Sequence, residues 1–207
     1  MRVEKIPTSE ARPWILAKHY AHRMPCVQYA FGLFDGNEIV GVSTFGLAPN
    51  FMECKMWEPF VCLELNRLVI DIQKKNSGSF FVSRSLNLLP KPSVVISYAD
   101  TEMNHIGYIY QATNWIYTGI GSVGEKRLIM IDGSTKHQRH YPTTDKSQIE
   151  RIEKTKGKHR YYYFNGNKTE IKDMKKILRY PVLPYPKGKT KRYDASTKIA
   201  TQRVLFT

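Results

Sequence analysis

The sequence predicts an α/β domain followed by a strongly basic C-terminal region. The chain has 207 residues, 42% hydrophobic and 12% aromatic, which is enough to bury one sizeable core. Strand-like and helix-like segments alternate along most of it, as in α/β and α+β domains. The net charge of +14 is uneven, because residues 1–135 carry 13 Lys/Arg and 12 Asp/Glu whereas residues 136–207 carry 19 and 6. We therefore predict a globular domain over residues 1–135 and a basic region over residues 136–207 that packs on it.

Local signals place the individual elements along the chain. Residues 8–22 predict the first helix, with a Thr-Ser pair as cap and a proline in the first turn. Two β-rich runs, residues 27–34 and 38–45, flank the tight-turn sequence Asp35-Gly36-Asn37 and predict a hairpin. Apolar runs and their Gly, Pro and Asn boundaries predict the later elements: strands over 62–70, 94–98, 115–118, 127–131 and 160–164, and helices over 76–89, 105–114 and 170–179.

The cysteines and the hydropathy pattern exclude several classes of protein. Cys26, Cys54 and Cys62 are odd in number and form no CxxC spacing, so neither a disulfide framework nor a zinc site is indicated. No apolar run approaches the roughly 20 residues that span a bilayer. We expect a cytoplasmic protein with no membrane partner.

A Ser-Gly-Ser turn at the start of the third predicted helix is a candidate anion site. Ser77, Gly78 and Ser79 are small, and a helix N-terminus presents free backbone N–H groups and a partial positive charge. Two lysines precede the turn, and Arg84 follows within the helix. The pattern fits a cradle for the phosphates of a coenzyme, and it also fits an ordinary capped helix.

Polar and aromatic residues after the apolar strand at 94–98 form a second candidate site. Asp100 follows the carboxyl end of that strand, where ligands bind in α/β sheets, and it can act as a base or a metal ligand. Tyr110, in a stretch dense in aromatics, can position or protonate a substrate. His19 and Tyr20 are a weak metal motif that would need Asp100 as a further ligand. A turn aspartate, core aromatics and a histidine without ligand function are the alternatives.

The basic region interleaves cations with aromatic rings. Arg139, Lys156, Lys158 and Arg160 lie close to several tyrosines. Cations neutralise phosphates and rings stack on unpaired bases, so this pattern indicates binding to a polynucleotide that weakens with salt. A solvated basic surface is the alternative.

Several of these segments together resemble the Mom family of phage DNA-modification proteins. The resemblance covers roughly residues 12–135 and is most specific from Ile96 to Gly119. The matching stretches are Glu64-Leu65-Asn66-Arg67-Leu68, Ser77-Gly78-Ser79, Ile96-Ser97-Tyr98-Ala99-Asp100, His105-Ile106-Gly107, Tyr110-Gln111-Ala112-Thr113-Asn114-Trp115 and Tyr117-Thr118-Gly119.

The resemblance implies a GNAT-like fold, with a mixed central β-sheet flanked by helices and a catalytic domain over residues 1–135. It implies addition of a carbamoylmethyl (acetamido) group to the exocyclic amine of adenine in double-stranded DNA, with the adenine flipped out, which protects phage DNA from restriction in the host cytoplasm. The resemblance also implies roles for individual residues: Arg67 and Ser79 in donor binding, Asp100 and Tyr110 in catalysis, and His19 and Tyr20 with Asp100 in binding iron.

The donor and the reaction remain open at this point. The loop Gln73–Ser79 has one glycine and differs from the usual GNAT phosphate-binding pattern. An acetamido product is joined through a methylene carbon, which simple acyl transfer does not give. A CoA-type donor, another acyl donor and Fe(II) are the cofactor alternatives, and a homodimer is one possible assembly. The other function hypotheses are a GNAT-type N-acyltransferase for a protein or small amine, and a non-catalytic DNA-binding phage protein.

Overall fold

A seven-stranded mixed β-sheet forms the centre of the protein in the computed structural model, which describes residues 1–48, 50–72 and 74–188. A second sheet of three strands lies beside it. The elements in chain order are β1 (Arg2–Lys5), α1 (Thr8–Lys18), β2 (Tyr29–Asp35), β3 (Glu38–Gly46), α2 (Phe51–Met56), β4 (Val61–Ile70), α3 (Ser77–Asn87), β5 (Ser93–Asp100), α4 (Tyr108–Gln111), β6 (Ile116–Gly121), β7 (Lys126–Met130), β8 (Thr135–His137), β9 (Ile149–Lys154), β10 (Lys158–Asn165) and α5 (Lys168–Ile177).

One parallel pair interrupts an otherwise antiparallel sheet. The strand order is β1-β2-β3-β4-β5-β10-β6, and only β4 and β5 run parallel. Their pairing extends from Val61 opposite Ser93 to Glu64 opposite Ile96 and then stops, while β4 continues along β3 to Ile70. The two strands therefore separate beyond Glu64. The small sheet has the order β8-β7-β9 and is antiparallel throughout.

Helices cover both faces of the large sheet. Alternate side chains of the strands point to opposite faces, and α3 covers one face through Phe81, Val82 and Leu86. The other face packs against α1 through Ile15 and against α5 through Met174. The predicted mixed sheet flanked by helices is confirmed. None of the described helices combines the length and the apolar character of a membrane-spanning helix.

The basic region contributes a central strand to this sheet. Strand β10 lies between β5 and β6, so the large sheet contains strands from both sides of residue 135. The chain after α5 crosses the β6 edge, where the Leu183 N–H donates to the Tyr117 carbonyl oxygen (3.0 Å) and the Tyr185 hydroxyl donates to the Trp115 carbonyl oxygen (2.6 Å). The predicted division at residue 135 thus marks a change in charge composition, and the residues before and after it contribute strands to the same large sheet.

Several predicted elements have different limits in the structure. Helix α1 ends at Lys18, four residues before the predicted end, because His19 is extended and the His22 ring nitrogen Nδ1 donates to the Leu16 carbonyl oxygen (2.9 Å). The helix predicted over 105–114 is only the four residues of α4. Strand β1, helix α2 and strands β8 and β9 were not predicted from the sequence.

Candidate functional site

A cleft of about 640 Å³ opens where β4 and β5 separate. Its walls are the end of α1, strand β4, the start of α3, and α4. Most candidates from the sequence line this cleft: His19, Tyr20, Arg67, Lys74, Lys75, Ser77, Gly78, Ser79 and Tyr110. The remaining candidates, Asp100, Arg84 and the basic residues after 136, lie outside its lining.

A hydrogen-bonded pair bridges the gap between the separating strands. The Ser97 hydroxyl donates to the Leu65 carbonyl oxygen across the gap (2.8 Å) and is hydrogen-bonded to the Tyr110 hydroxyl (2.7 Å). Burial raises the pKa of Tyr110 well above its usual value. Tyr110 is therefore a neutral hydroxyl that is fixed at the base of the cleft, which suits an orienting or proton-donating role.

Three aromatic rings connect α1 with the loop after β5. His19 and Tyr20 stack with centroids 4.3 Å apart, and Tyr20 meets His105 edge-on at 5.8 Å. Burial, together with the charge of Asp100, raises the pKa of Tyr20 to about 12. Burial lowers the pKa of His105, and the charge of Asp100 opposes that change. The structure thus places His19, Tyr20 and Asp100 close to one another.

His19 and Tyr20 are both neutral side chains in this structure. Burial and nearby positive charges lower the pKa of His19 to about 3, and its Nδ1 accepts a hydrogen bond from the Ala21 N–H (3.0 Å). The ring is therefore neutral, and in this conformation its Nδ1 atom is used as a hydrogen-bond acceptor. The Tyr20 hydroxyl stays protonated, and within residues 1–48, 50–72 and 74–188 no three His, Cys, Asp or Glu side chains are placed to hold a metal.

Glu64 is an unpredicted member of the site. It is the last residue of β4 that pairs with β5, and its buried Oε2 atom has no hydrogen-bond partner among the described residues. Burial raises the pKa of its carboxyl group to about 7, although the positive charges of Arg67 and Lys158 oppose that change. Its charge contributes to the raised pKa values of Tyr20 and Tyr110. A carboxyl group that titrates near neutral pH and has one oxygen atom without a hydrogen-bond partner is suited to proton transfer.

Asp100 is held at the end of β5 by two partners. Its Oδ1 accepts from the Glu102 N–H (3.0 Å) and its Oδ2 lies 3.2 Å from Lys158 Nζ. No hydrogen bond or ion pair joins Asp100 to Tyr110 in the described part of the chain, and the two face opposite sides of the sheet. Tyr20 lies between them and interacts electrostatically with both.

The start of α3 forms one wall of the cleft. Ser77, Gly78 and Ser79 all line it, and the Ser79 hydroxyl donates to the Asn76 carbonyl oxygen (3.2 Å). A Cβ atom on Gly78 would lie 2.7 Å from Ile109 Cδ1. Glycine at this position therefore lets α3 approach α4 closely, which narrows the cleft at the helix N-terminus.

Only some of the cations assigned to the donor lie at the cleft. Arg67 lines it and is fixed by two hydrogen bonds to the Arg23 carbonyl oxygen, both 3.2 Å. Lys74 and Lys75 also line it. Arg84 lies outside it and lines a smaller cleft near the N-terminus, because seven residues of helix place it about 10 Å from Ser77, the first residue of α3.

The four basic residues proposed for nucleic acid have different surroundings. Lys158 pairs with Asp100 and so belongs to the edge of the site. The Arg160 guanidinium stacks on the Tyr180 ring at 3.3 Å, which leaves it less available to a phosphate. Arg139 and Lys156 are exposed, Arg139 in a single turn of 3-10 helix after β8.

Two functional features escaped the sequence reasoning. Glu64 was part of a matching stretch but had no assigned role, and the only local signal is a carboxylate within an apolar strand. The pairing of Lys158 with Asp100 joins residues 58 positions apart, so no local pattern shows it.

Comparisons with known proteins give the following matches. The model of the Mom protein family matches residues 1–187. The methylcarbamoylase Mom of Escherichia phage Mu is 32% identical over 148 residues, which are 67% of this chain and 60% of that protein. An acetyltransferase of the GNAT family from Bacillus cereus superposes with a TM-score of 0.40 at 12% identity, covering 79% of this chain and 96% of that one.

Proposed function

Because this chain belongs to the Mom protein family, we propose that it is a transferase that adds a carbamoylmethyl group to the exocyclic amine of adenine in DNA. The chain spans 60% of the length of its phage Mu relative, whose name describes a methylcarbamoylase. The structural observation that supports the proposal most strongly is the Glu64 carboxyl group where β4 and β5 separate, whose buried Oε2 atom has no hydrogen-bond partner among the described residues.

The two substrates would approach from opposite faces of the sheet. The cleft on the α3 face offers a helix N-terminus with Lys74, Lys75 and Arg67, which suits a donor with anionic groups. The face opposite carries the Asp100–Lys158 pair and would admit the flipped base. Glu64 lies at the point where the two approaches meet.

Proton transfer is the step that the protein's own residues can perform. The amine nitrogen of adenine forms a bond to the methylene carbon of the donor, and the bond from that carbon to the leaving group breaks with its electron pair. Glu64, as carboxylate, takes the proton that the nitrogen loses. Asp100 holds Lys158 beside the acceptor, and the Tyr110 hydroxyl orients the donor from the base of the cleft.

Charge supports a polyanionic acceptor. Of the 32 Lys/Arg residues, 19 lie after residue 135 against 6 Asp/Glu, and strand β10 carries Lys158 from this basic region into the site. Binding should therefore weaken steeply as salt increases, because each phosphate that is neutralised releases counterions.

Nucleoside mass spectrometry tests the function directly. DNA from bacteria that express the protein is digested, and a modified adenine nucleoside with the added mass of a carbamoylmethyl group is expected. Asp100→Ala should remove that nucleoside while DNA binding is retained, and Asp173→Ala, an exposed change on α5, should leave it at the wild-type level. Unmodified nucleosides from well-expressing wild-type cells, or acetyl transfer from acetyl-CoA to an amine without DNA, would contradict the proposal.

A further inference from the structure

Two connections join the large and small sheets side by side. Residues 121–126 lead from β6 to β7 and residues 154–158 lead from β9 to β10; together they are called the inter-sheet junction. Thr155 ties them together, since its carbonyl accepts from the Gly124 N–H (2.9 Å), its N–H donates to the Glu125 carbonyl (2.9 Å), and its hydroxyl donates to the Ser122 carbonyl (2.7 Å). The junction is therefore a fixed structure.

The junction presents apolar side chains to solvent. Val123 is 66% exposed and Ile120, just before it, is 46% exposed. Ser122 and Gly124 on either side of Val123 have φ values of 58° and 75°, so the turn is sharp. Both apolar side chains lie against Gly157, where a Cβ atom would come within 2.6 Å of Ile120 Cγ2 and 2.8 Å of Val123 Cγ2. Val123 and Ile120 therefore form an apolar tip that rests on Gly157 on the protein side and is exposed to solvent on the other side.

Unpaired cations surround this tip. Lys126 and Lys154 are direct cross-strand partners in β7 and β9, so their like charges point to the same face and repel each other. Lys156 is exposed next to them. None of the three forms an ion pair within the described ranges. Three lysines that form no ion pair, although Glu125 lies in the same junction, are available to neutralise phosphates.

The junction adjoins the proposed acceptor side of the site. Asp100, Lys158 and Gly121 are direct partners across β5, β10 and β6, which places Gly121 two strand spacings, about 10 Å, from Asp100. The Thr101 hydroxyl also donates to the Gly157 carbonyl oxygen (2.6 Å). A base leaving a helix at Val123 would therefore need to move only a short distance to reach the Asp100 edge.

We propose that Val123, backed by Ile120, inserts into duplex DNA and fills the space left by the extruded adenine, while Lys126, Lys154 and Lys156 hold the flanking phosphates. This inference rests on the proposed function, since a base inside a duplex must leave the stack before it can react. Apolar side chains that enter a base step offset part of the unstacking energy.

Binding to two duplexes of the same sequence tests the wedge. One carries a paired adenine at a position mapped as modified in cells, and the other has an abasic site opposite that adenine. Val123→Ser should bind the paired duplex about tenfold more weakly than wild type and the abasic duplex about equally. Val123→Ile keeps an apolar side chain at this position and should bind the paired duplex as tightly as wild type does. Val182→Ser is the matched control, because Val182 is also 66% exposed but lies on the segment after α5, and it should match wild type on both.

The cations predict a different signature. Replacing Lys126, Lys154 and Lys156 with Gln should weaken both duplexes alike and reduce the slope of log K against log salt by about 0.9 for each phosphate that is no longer neutralised. The wedge is wrong if a Val123→Ser protein with an unchanged melting temperature binds both duplexes as tightly as wild type does. It is also wrong if the affinity of this variant falls by the same factor for both duplexes. A wild-type protein that leaves no modified adenine in cells overturns the proposed function instead.

Discussion

Replacing Glu64 with Gln should stabilise the protein at alkaline pH while it removes activity. Burial raises the pKa of Glu64 from an ordinary 4.5 to about 7. Between these two values the native state binds more protons than the unfolded state, so the free energy of unfolding falls as the pH rises. Below pH 4.5 the group is protonated in both states and the cost is absent, and above pH 7 the full cost, roughly 3 kcal/mol, is present.

Denaturant unfolding of the full chain at pH 5 and pH 8.5 measures this effect. The glutamine side chain of Glu64→Gln cannot ionise, so the variant does not lose stability as wild type does when the pH rises. The unfolding free energy of the variant minus that of wild type should therefore be roughly 2–3 kcal/mol larger at pH 8.5 than at pH 5. For a chain of this length, that corresponds to a rise in melting temperature of roughly 4–12 °C relative to wild type at pH 8.5. Modified adenine in expressing cells should fall by about 100-fold, as expected when a general base is removed.

A matched variant separates this effect from the general consequences of removing a carboxylate. Glu38 is exposed on β3 and forms no ion pair within the described part of the chain, so Glu38→Gln should show the same difference from wild type at both pH values. If Glu64→Gln also shows no dependence on pH, Glu64 is already ionised or solvated in the native state. The raised pKa assigned to Glu64 would then be refuted, and a loss of modified adenine with Glu64→Gln would need another explanation than a base tuned to neutral pH.

Two smaller changes test the supports of the site and of the fold. Tyr110→Phe leaves Ser97 without its hydroxyl partner and should lower the unfolding free energy by about 1–2 kcal/mol and reduce modified adenine; unchanged modification would remove the hydroxyl from the mechanism. Asn167→Ala removes the capping box of α5, in which the Asn167 side chain accepts from the N–H groups of Thr169 and Glu170, and should cost about 1 kcal/mol in denaturant unfolding. Because α5 lies outside the cleft, the folded Asn167→Ala protein should produce as much modified adenine as wild type does. If a fully folded variant produces less, α5 contributes to DNA binding.

Elements with strong local signals were predicted from the sequence. The hairpin of β2 and β3 turns at Gly36, whose φ of 62° is the conformation that the Asp-Gly-Asn sequence favours. Strand β1 was missed, because its four residues are mostly exposed and charged and it forms only through pairing with β2. Helix α4 is short because Gly107, at φ 74°, packs against Tyr161, where a Cβ atom would lie 2.4 Å from the ring. That contact depends on tertiary packing.

The site was predictable as a set of residues but not as a geometry. His19, Tyr20, Arg67 and Tyr110 do line one cleft, and the resemblance to a family selected them where spacing alone left alternatives. Charge composition separated residues 136–207 from the rest, yet the apolar faces of β10 belong to the core. A pattern of charges reports on solvent and partners, whereas the position of a strand depends on packing against distant segments.

Three features of the protein depart from ordinary local rules, one in β4 of the large sheet and two at the inter-sheet junction. The buried Oε2 atom of Glu64 has no hydrogen-bond partner among the described residues, Lys126 and Lys154 face each other as like charges, and Ser122 has a left-handed backbone. Each of these features costs stability, and the three hydrogen bonds of Thr155 hold the junction in place despite two of them. A bound polyanion would reduce the repulsion between the two lysines. It would not reduce the free-energy cost of burying the ionised Glu64 carboxyl group, which is removed only when that group takes up a proton. The junction therefore fits a binding function and Glu64 a chemical one.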